Sequence, residues 1–403
     1  MIIGLRCAVC GAGVDIAQPF TWTCPSASED DRHHLLEFVD DGSEDELDET
    51  SSNPLVRYRR RSAWWSFARA NGMSDAGTVA LAQSVGGGFA VSPFSHHGGI
   101  SSALEVDVWA KDETGSVGGS HKARHLIGIM LHLRAAEELG MLTSRLPLAI
   151  SSCGNAALAA ATLASAEKWP LRVFVPTWMD PAFGVGLDRF GAVVHRCERT
   201  PESGPGDPAM AAFEQAVAYG SIPFSVQGPA NAWCLDTGRS IGWEMAEVLA
   251  DGGLSAVYIQ VGGGALATCL GAGLGSSIPV VAVQTEGCAP FAAALARADL
   301  VPDPERHWPE VMVPWSDPVS LADGILDDET YDWIGVRRAV RASGGRSVVA
   351  TEALVVAAAE LVARTGPPTS PTGTAGLAGL MTELAEGRQV DGTVAVVLSG
   401  VAR

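Results

Sequence analysis

An α/β architecture of mostly parallel sheets flanked by helices is predicted by three observations. Short apolar runs recur from about residue 104, at 106–110, 146–150, 171–175, 192–195, 256–261, 279–283 and 393–398. Between them apolar residues fall at three- and four-residue spacing, the helical period. Turns rich in glycine or serine join the end of a run to the start of a helical pattern, as βαβ units require. No repeat of fixed period interrupts this alternation.

At 403 residues the chain is long enough for two domains or one large one. An apolar content of 47% against 18% charged residues describes a core-rich globular protein. The net charge of −19 argues against nucleic acid and against an anionic membrane surface as partners. The eight cysteines are scattered, and several, such as Cys234 and Cys269, sit in apolar patterns, as expected of reduced core cysteines. No stretch reaches the ~18 consecutive apolar residues of a membrane span. The alanine-rich segment after Asn155 comes nearest and is limited by Ser165 and Glu167. With no signal peptide recognisable at the N-terminus, these features predict a cytoplasmic protein.

The chain opens on Cys7-Ala-Val-Cys10-Gly11 and then Cys24-Pro25, a knuckle spacing whose second Cys pair is missing. Three thiolates, from Cys7, Cys10 and Cys24, would need His33 or His34 to complete a zinc site. The expectation is a knuckle without metal that stands on local contacts. Residues 29–49 carry eleven Asp and Glu against one Arg and read as a solvated linker or flexible arm. Arg57, Arg59, Arg60 and Arg61 then reverse the charge ahead of Trp64-Trp65, in place to dock the acidic arm or to build an interface. The segment 301–330, rich in Pro, Asp and Trp, reads as a long surface loop.

Chemistry concentrates at 111–124. A Gly-rich turn follows the run 106–110 and places Lys122 in the first turn of a helix patterned from Leu126 to Leu139. The positive end of the helix dipole favours the neutral amine there, which is a nucleophile toward carbonyls. Only two other lysines exist: Lys111, which closes a strand and can pair with a carboxylate, and Lys168, which reads as a surface charge.

Ligands of parallel sheets bind beyond the carboxyl ends of strands, and three more loops qualify. In 151–156, the small residues Ser151, Ser152, Cys153 and Gly154 let backbone N–H groups approach an anion, with hydroxyl donors added; the alternative is an N-cap by Ser152 or Asn155. Gly262, Gly263, Gly264 and Ala265 follow the run 256–261 and open a helix. They suit a single phosphate, since the Lys-Ser/Thr of a P-loop and the dinucleotide spacing are both missing. Ser399-Gly400, after the run 393–398, offers a neutral hydroxyl to a ring nitrogen, or is simply a strand-ending turn.

Together these loops resemble the fold type II family of pyridoxal-phosphate enzymes, which includes threonine synthase, threonine and serine dehydratases, cysteine synthase and the tryptophan synthase β subunit. The resemblance runs from about residue 80 to the C-terminus. Lys111-Asp-Glu113 resembles the family's Lys-x-Glu strand, Gly119-Ser-His-Lys122 its Schiff-base loop, 151–156 its Asn loop and 262–264 its phosphate loop. Pro371-Thr-Gly-Thr-Ala-Gly-Leu377 resembles its late helix start, and Leu398-Ser-Gly400 its closing loop. The knuckle, Cys24-Pro25 and Arg57-Tyr-Arg59 are similar to threonine synthase-like proteins. Two departures stand out. His121 and Ala123 flank the lysine where threonine synthases usually carry Phe and Asp, and Val117-Gly118-Gly119 replaces a Pro-Thr-Gly-Ser loop. His before the lysine resembles the tryptophan synthase β subunit, where it contacts the cofactor phosphate.

The resemblance implies a two-domain, tryptophan synthase β-like fold. Residues 51–115 plus 225–403 would form the large cofactor-binding domain, 116–224 a small domain carrying the Asn loop, and 1–50 the Cys knuckle and acidic arm. It implies pyridoxal 5'-phosphate as cofactor, bound covalently by Lys122, which also moves the substrate Cα proton. Gly262, Gly263, Gly264 and Ala265 would hold the phosphate with His121, Asn155 the ring hydroxyl, and Ser399 the pyridine nitrogen. Ser151, Ser152, Cys153 and Gly154 would bind the carboxylate of a small amino-acid substrate. Arg124, Arg189 and Arg239 are candidates for a second anionic group. The implied activity is elimination or replacement at Cβ or Cγ, threonine synthase-like, in a homodimer. A serine/threonine dehydratase and a β-replacing synthase are the alternatives, and a non-catalytic ligand-sensing relative is the rival of another class.

Overall fold

The apolar runs fold into two parallel sheets. The computed structural model describes residues 1–28, 30–43, 46–179, 181–200, 207–249 and 253–403. Its strands are β1 (Ile2–Cys7), β2 (Gly13–Asp15), β3 (Leu36–Asp40), β4 (Phe94–His96), β5 (Asp107–Asp112), β6 (Leu148–Ser151), β7 (Leu171–Pro176), β8 (Val193–Cys197), β9 (Ile222–Pro223), β10 (Ala256–Gln260), β11 (Val280–Thr285), β12 (Arg346–Ala350) and β13 (Thr393–Leu398). All seven strands expected from the sequence are present, within two residues at each end.

A six-stranded sheet has the order β12-β11-β10-β13-β5-β4, parallel except for the short edge strand β4. A four-stranded sheet has the order β8-β7-β6-β9, with every pairing parallel. Strands β10 and β11 are buried at every residue, as parallel strands covered on both faces must be. One cover is formed by the helices Ala265–Leu274 and Trp333–Ala342, and the helix Lys122–Glu138 belongs to the same core, with Leu126, Ile127, Ile129, Met130, Leu131 and Leu133 all fully buried. On the opposite face the helices Glu352–Thr365 and Pro371–Ala385 bury Val355, Val362, Leu377 and Leu380 against Val281, Val283, Val394 and Val396.

Two expectations are corrected. The acidic run is not simply a solvated arm: Leu36–Asp40 is strand β3, paired antiparallel to β1 in a sheet of order β2-β1-β3. Leu35 and Leu36 are buried there, and two apolar side chains outweigh the neighbouring carboxylates, which point outward. The arginine segment docks the arm, with Arg59 on Asp48 at 3.1 Å and Arg60 on Glu46 at 2.8 Å. Glu29, Glu44 and Asp45 of the run lie outside the described residues.

The segment 301–330 is likewise more than a surface loop. It contains the short helix Trp308–Val311 and buries Val311, Met312, Ala322, Ile325, Glu329 and Thr330. Sparse apolar residues without period hid this descent into the protein from the sequence.

Candidate active site

Lys122 is the first residue of its helix and is half-buried. Buried charges on both sides fix its position. Just after β5, the Glu113 carboxylate accepts from Ser116 Oγ at 2.6 Å and from Arg124 Nε at 3.0 Å. Arg124 also donates to Glu244 at 2.5 Å, and Glu244 accepts from Lys111 Nζ at 2.5 Å. All four charged side chains are at most 2% exposed. Two cations thus cancel two carboxylates, and removing any one would leave its partner buried and unpaired. The network spans the lysine loop from Lys111 to Arg124 and clamps it at both ends.

Between the clamps, Gly118 and Gly119 have φ of +72° and +73°, a region that favours glycine. A Cβ on Gly118 would lie 3.3 Å from Ala159 Cα, so the missing side chain also lets the lysine loop lie against the helix Asn155–Ala166.

The loop after β13 is stitched to the lysine loop. Ser120 and Gly400 form an antiparallel bridge, and Val401 N donates to Gly119 O at 2.8 Å. His121 donates to the Ser399 carbonyl through its backbone N–H and its Nδ1, each at 3.0 Å. Burial and the nearby Lys122 charge hold the His121 imidazole well below its usual range, hence neutral. With the proton on Nδ1, its Nε2 is an acceptor. Ser399 is buried, and its Oγ accepts from Gln260 Nε2 at 2.6 Å. The Ser399 hydroxyl proton is therefore left to donate elsewhere.

At the end of β6, residues 151–155 are all partly exposed. The cap position of the following helix belongs to Gly154, with no side-chain cap bond, so Asn155 is not spent on capping, while Ser152 Oγ accepts from the Gly154 N–H at 3.4 Å. Asn155 Oδ1 accepts from Arg403 Nε at 3.0 Å. Its amide nitrogen faces the closing loop, 3.3 Å from where a Cβ on Gly400 would stand.

After β10, Gly264 has φ of +98° and Ala265 begins the helix Ala265–Leu274. The Asp327 carboxylate overhangs this turn and accepts from the Gly263 amide. A Cβ on Gly262 would lie 2.7 Å from Asp327 Oδ2. The Gly263 amide offsets part of the burial that raises this carboxyl.

Charge links the lysine to the glycine turn. Burial lowers the Lys122 amine from its ordinary value, opposed by the carboxylates of Asp327 and Asp332. Burial also raises Asp327 to about 6 and Asp332 to about 7, with Lys122 pulling both back. Asp332 is fixed by the Gly228 amide at 3.0 Å, and its own N–H donates to Gly263 O at 2.7 Å. So the lysine loop, the asparagine loop and the closing loop touch one another, and the glycine turn reaches the amine through Asp327 and Asp332. Sequence reasoning missed Gln260, Asp327 and Asp332. Gln260 had a signal, a lone amide closing an apolar strand; the two aspartates looked like any solvated acids of a loop.

A family profile described as pyridoxal-phosphate dependent enzyme matches residues 86–400. The chain belongs to this family. Pyridoxal phosphate is accordingly its cofactor. No curated protein sequence gives a significant match. Among solved structures, this pyridoxal-phosphate enzyme is similar to maize serine racemase, with a TM-score of 0.64 and 15% identity over 80% of this chain and 91% of that one. Threonine deaminase isoform 2 from Solanum lycopersicum gives 0.64 and 19% identity, covering 81% and 90% of the two chains. A fungal L-serine ammonia-lyase from Rhizomucor miehei gives 0.60 and 19% identity, covering 77% and 94%.

The residues present fit the cofactor. A half-buried amine with a lowered pKa stands at a helix start, and a glycine turn that opens a helix follows β10. A buried hydroxyl keeps its proton free, and an amide nitrogen is held outward by the Arg403 contact. The glycines cannot be replaced cheaply, since a Cβ on Gly262 or Gly264 would fall within 3.0 Å of Asp327 or Thr330.

Proposed function

We propose that this chain is a lyase that removes a leaving group from Cβ or Cγ of a small amino acid, with uncharged hydroxy amino acids as preferred substrates, in the manner of a serine/threonine dehydratase. The charge around Lys122 carries this reading. Asp327 and Asp332 both act on its amine. Of the arginines considered for a second anionic group, Arg124 is spent on Glu113 and Glu244, and Arg239 on Asp236 at 2.6 Å. Arg189 is exposed at the end of the helix Pro181–Arg189. A substrate phosphate near Lys122 would thus meet the carboxylates of Asp327 and Asp332 and none of these three arginines, while the Arg403 guanidinium at this site lies on Asn155. The threonine synthase-like reading is second, supported by the knuckle and by Arg57-Tyr-Arg59.

When bound, pyridoxal phosphate supplies the electron sink that makes loss of the substrate Cα proton accessible. Lys122 takes that proton as general base, its neutral form favoured by burial. Ser151, Ser152 and the N–H groups of Cys153 and Gly154 hold the substrate carboxylate. Gly262, Gly263, Gly264 and Ala265 offer their amides to the phosphate, and Asn155 offers its Nδ2 to the ring oxygen. His121, which steadies the closing loop, can donate to the phosphate only through a protonated Nε2. Ser399 donates to the pyridine nitrogen, and Gln260 keeps it aimed. A neutral hydroxyl there tempers the sink and suits elimination.

We also infer a division into domains that follows the two parallel sheets, a cytoplasmic location and a homodimer. Light scattering of the purified protein checks the last through its mass.

The test is an assay of the cofactor-loaded protein with serine, threonine and O-phosphohomoserine, reading keto acid, ammonia and inorganic phosphate. Keto acid and ammonia from serine or threonine, lost in Lys122→Ala, support the dehydratase. Phosphate and threonine formed from O-phosphohomoserine would replace it with threonine synthase.

A further inference from the structure

We propose that Cys7, Cys10, Cys24 and His34 form a zinc site that holds the N-terminal sheet and braces a wall of the active site. Three Sγ atoms and one imidazole nitrogen lie within 4.8 Å of one another. His34 Nδ1 is 3.3 Å from Cys7 Sγ and 3.2 Å from Cys24 Sγ, and Cys24 Sγ is 3.5 Å from Cys10 Sγ. A tetrahedral zinc with bonds of about 2.3 Å to sulfur and 2.0 Å to nitrogen separates its ligands by about 3.5 Å. The three separations given are close to that spacing, and the remaining ones stay within 4.8 Å.

The surroundings select the same chemistry. His34 Nε2 is 3.0 Å from Asp31 Oδ2, and a carboxylate can only accept, so the proton sits on Nε2. The lone pair of Nδ1 is thereby aimed at the sulfurs. It cannot satisfy two thiols as a single hydrogen-bond acceptor, but one shared cation satisfies all four ligands. A carboxylate behind the imidazole is the usual outer support of a zinc-bound histidine. Val9 N and Ser26 N each donate to a ligand sulfur, Cys7 and Cys24 respectively, at 3.4 Å, which suits thiolates better than thiols. Cys7, Cys24 and His34 are at most 4% exposed, whereas Cys10 is exposed and gives the metal its way in. Zinc binding displaces the thiol protons to solvent and needs no oxidant. Four protein ligands leave no open position, so the site is structural.

The turn that carries His34 also carries the brace. Arg32 Nη2 and His33 Nε2 hold Glu329, at 2.6 and 3.1 Å, and Trp308 Nε1 donates to Asp31 Oδ1 at 3.1 Å. Glu329 lies between Asp327 and Asp332 of the active-site wall.

The experiment is metal analysis of the purified, desalted full chain, beside Cys10→Ser and a Cys153→Ser control. One zinc per chain, kept in Cys153→Ser and reduced at least tenfold in Cys10→Ser, is the expected result. Cys10 is the exposed ligand, so the variant should keep its pyridoxal-phosphate band and report on metal rather than on folding. Cobalt exchange gives a second reading, through thiolate-to-cobalt bands that weaken in Cys10→Ser. Zinc no higher than in buffer, zinc unaffected by Cys10→Ser, or an intact mass showing a Cys10–Cys24 disulfide in the freshly purified protein would each overturn the proposal.

Discussion

At Ser399 a single hydrogen bond separates two roles for one hydroxyl. Because Gln260 Nε2 occupies an acceptor lone pair, the proton of Ser399 is left for another acceptor, which in the proposed function is the ring nitrogen. Ser399→Ala is expected to lower kcat about ten-fold, the value of one hydrogen bond of ~1.4 kcal/mol. Gln260→Leu should lower it in the same direction by less, with Km unchanged in both. Steady-state kinetics check this, and an unchanged kcat in Ser399→Ala would remove Ser399 from the site. Asp327 sets a second case, with a pH sign. Its carboxyl is raised from 3.8 to about 6 by burial, so folding favours the protonated form. Its contribution to stability is complete below the unfolded value and is lost as pH rises through about 6. In the cofactor-free protein, Asp327→Asn should therefore raise the urea midpoint at pH 8 and leave it little changed at pH 4. An equal gain at both pH values would contradict the assignment.

At the scale of elements, the lysine loop is held by charge. Lys111, Glu113, Arg124 and Glu244 come from β5, the turn after it, the lysine helix and the helix Ser240–Val248. Glu244→Ala leaves Lys111 and Arg124 short of a partner in the interior and is expected to cost about 3–5 kcal/mol, measured as the shift of a denaturation midpoint. A loss below ~1 kcal/mol would mean that the network is wetter than its burial indicates. Legibility in the sequence follows the same line. Lys111 could be expected to pair, because a lysine closing an apolar strand must find a carboxylate. That Glu244, 133 residues away, supplies one is a fact of the chain's crossover that no local pattern carries. The four loops were readable because each sits where an apolar run stops and a helical period starts. The wall of Asp327 and Asp332 was not, because acidic residues look alike on a surface and over a cofactor. Strands β1, β2, β3, β4, β9 and β12 also escaped notice: β1, β2 and β3 pair in a small sheet outside the α/β alternation, β4 and β9 are two or three residues long, and β12 mixes Arg and Ser with its valines.

Across the whole molecule, the strand order places the ends of β5, β6, β10 and β13 around one site although they come from two sheets. Cofactor binding should therefore stabilise both sheets together. Pyridoxal phosphate at a hundred times its Kd is expected to add about 2.7 kcal/mol to unfolding as one cooperative shift. Fluorescence and circular dichroism transitions that move apart on addition of the cofactor would show instead that the sheets unfold independently. The alternation of runs and helical patterns was enough to predict the parallel sheets, since strands buried on both faces admit few polar residues. The order in which two sheets share those strands depends on long-range contacts that the alternation does not encode. The central claim is that these strand ends deliver Lys122 to pyridoxal phosphate. It is tested most directly by the near-visible absorption of the purified protein with added cofactor, beside Lys122→Ala. A long-wavelength band of lysine-bound cofactor in the unmutated protein alone is the predicted result. The same band in both proteins, or in neither, would contradict it.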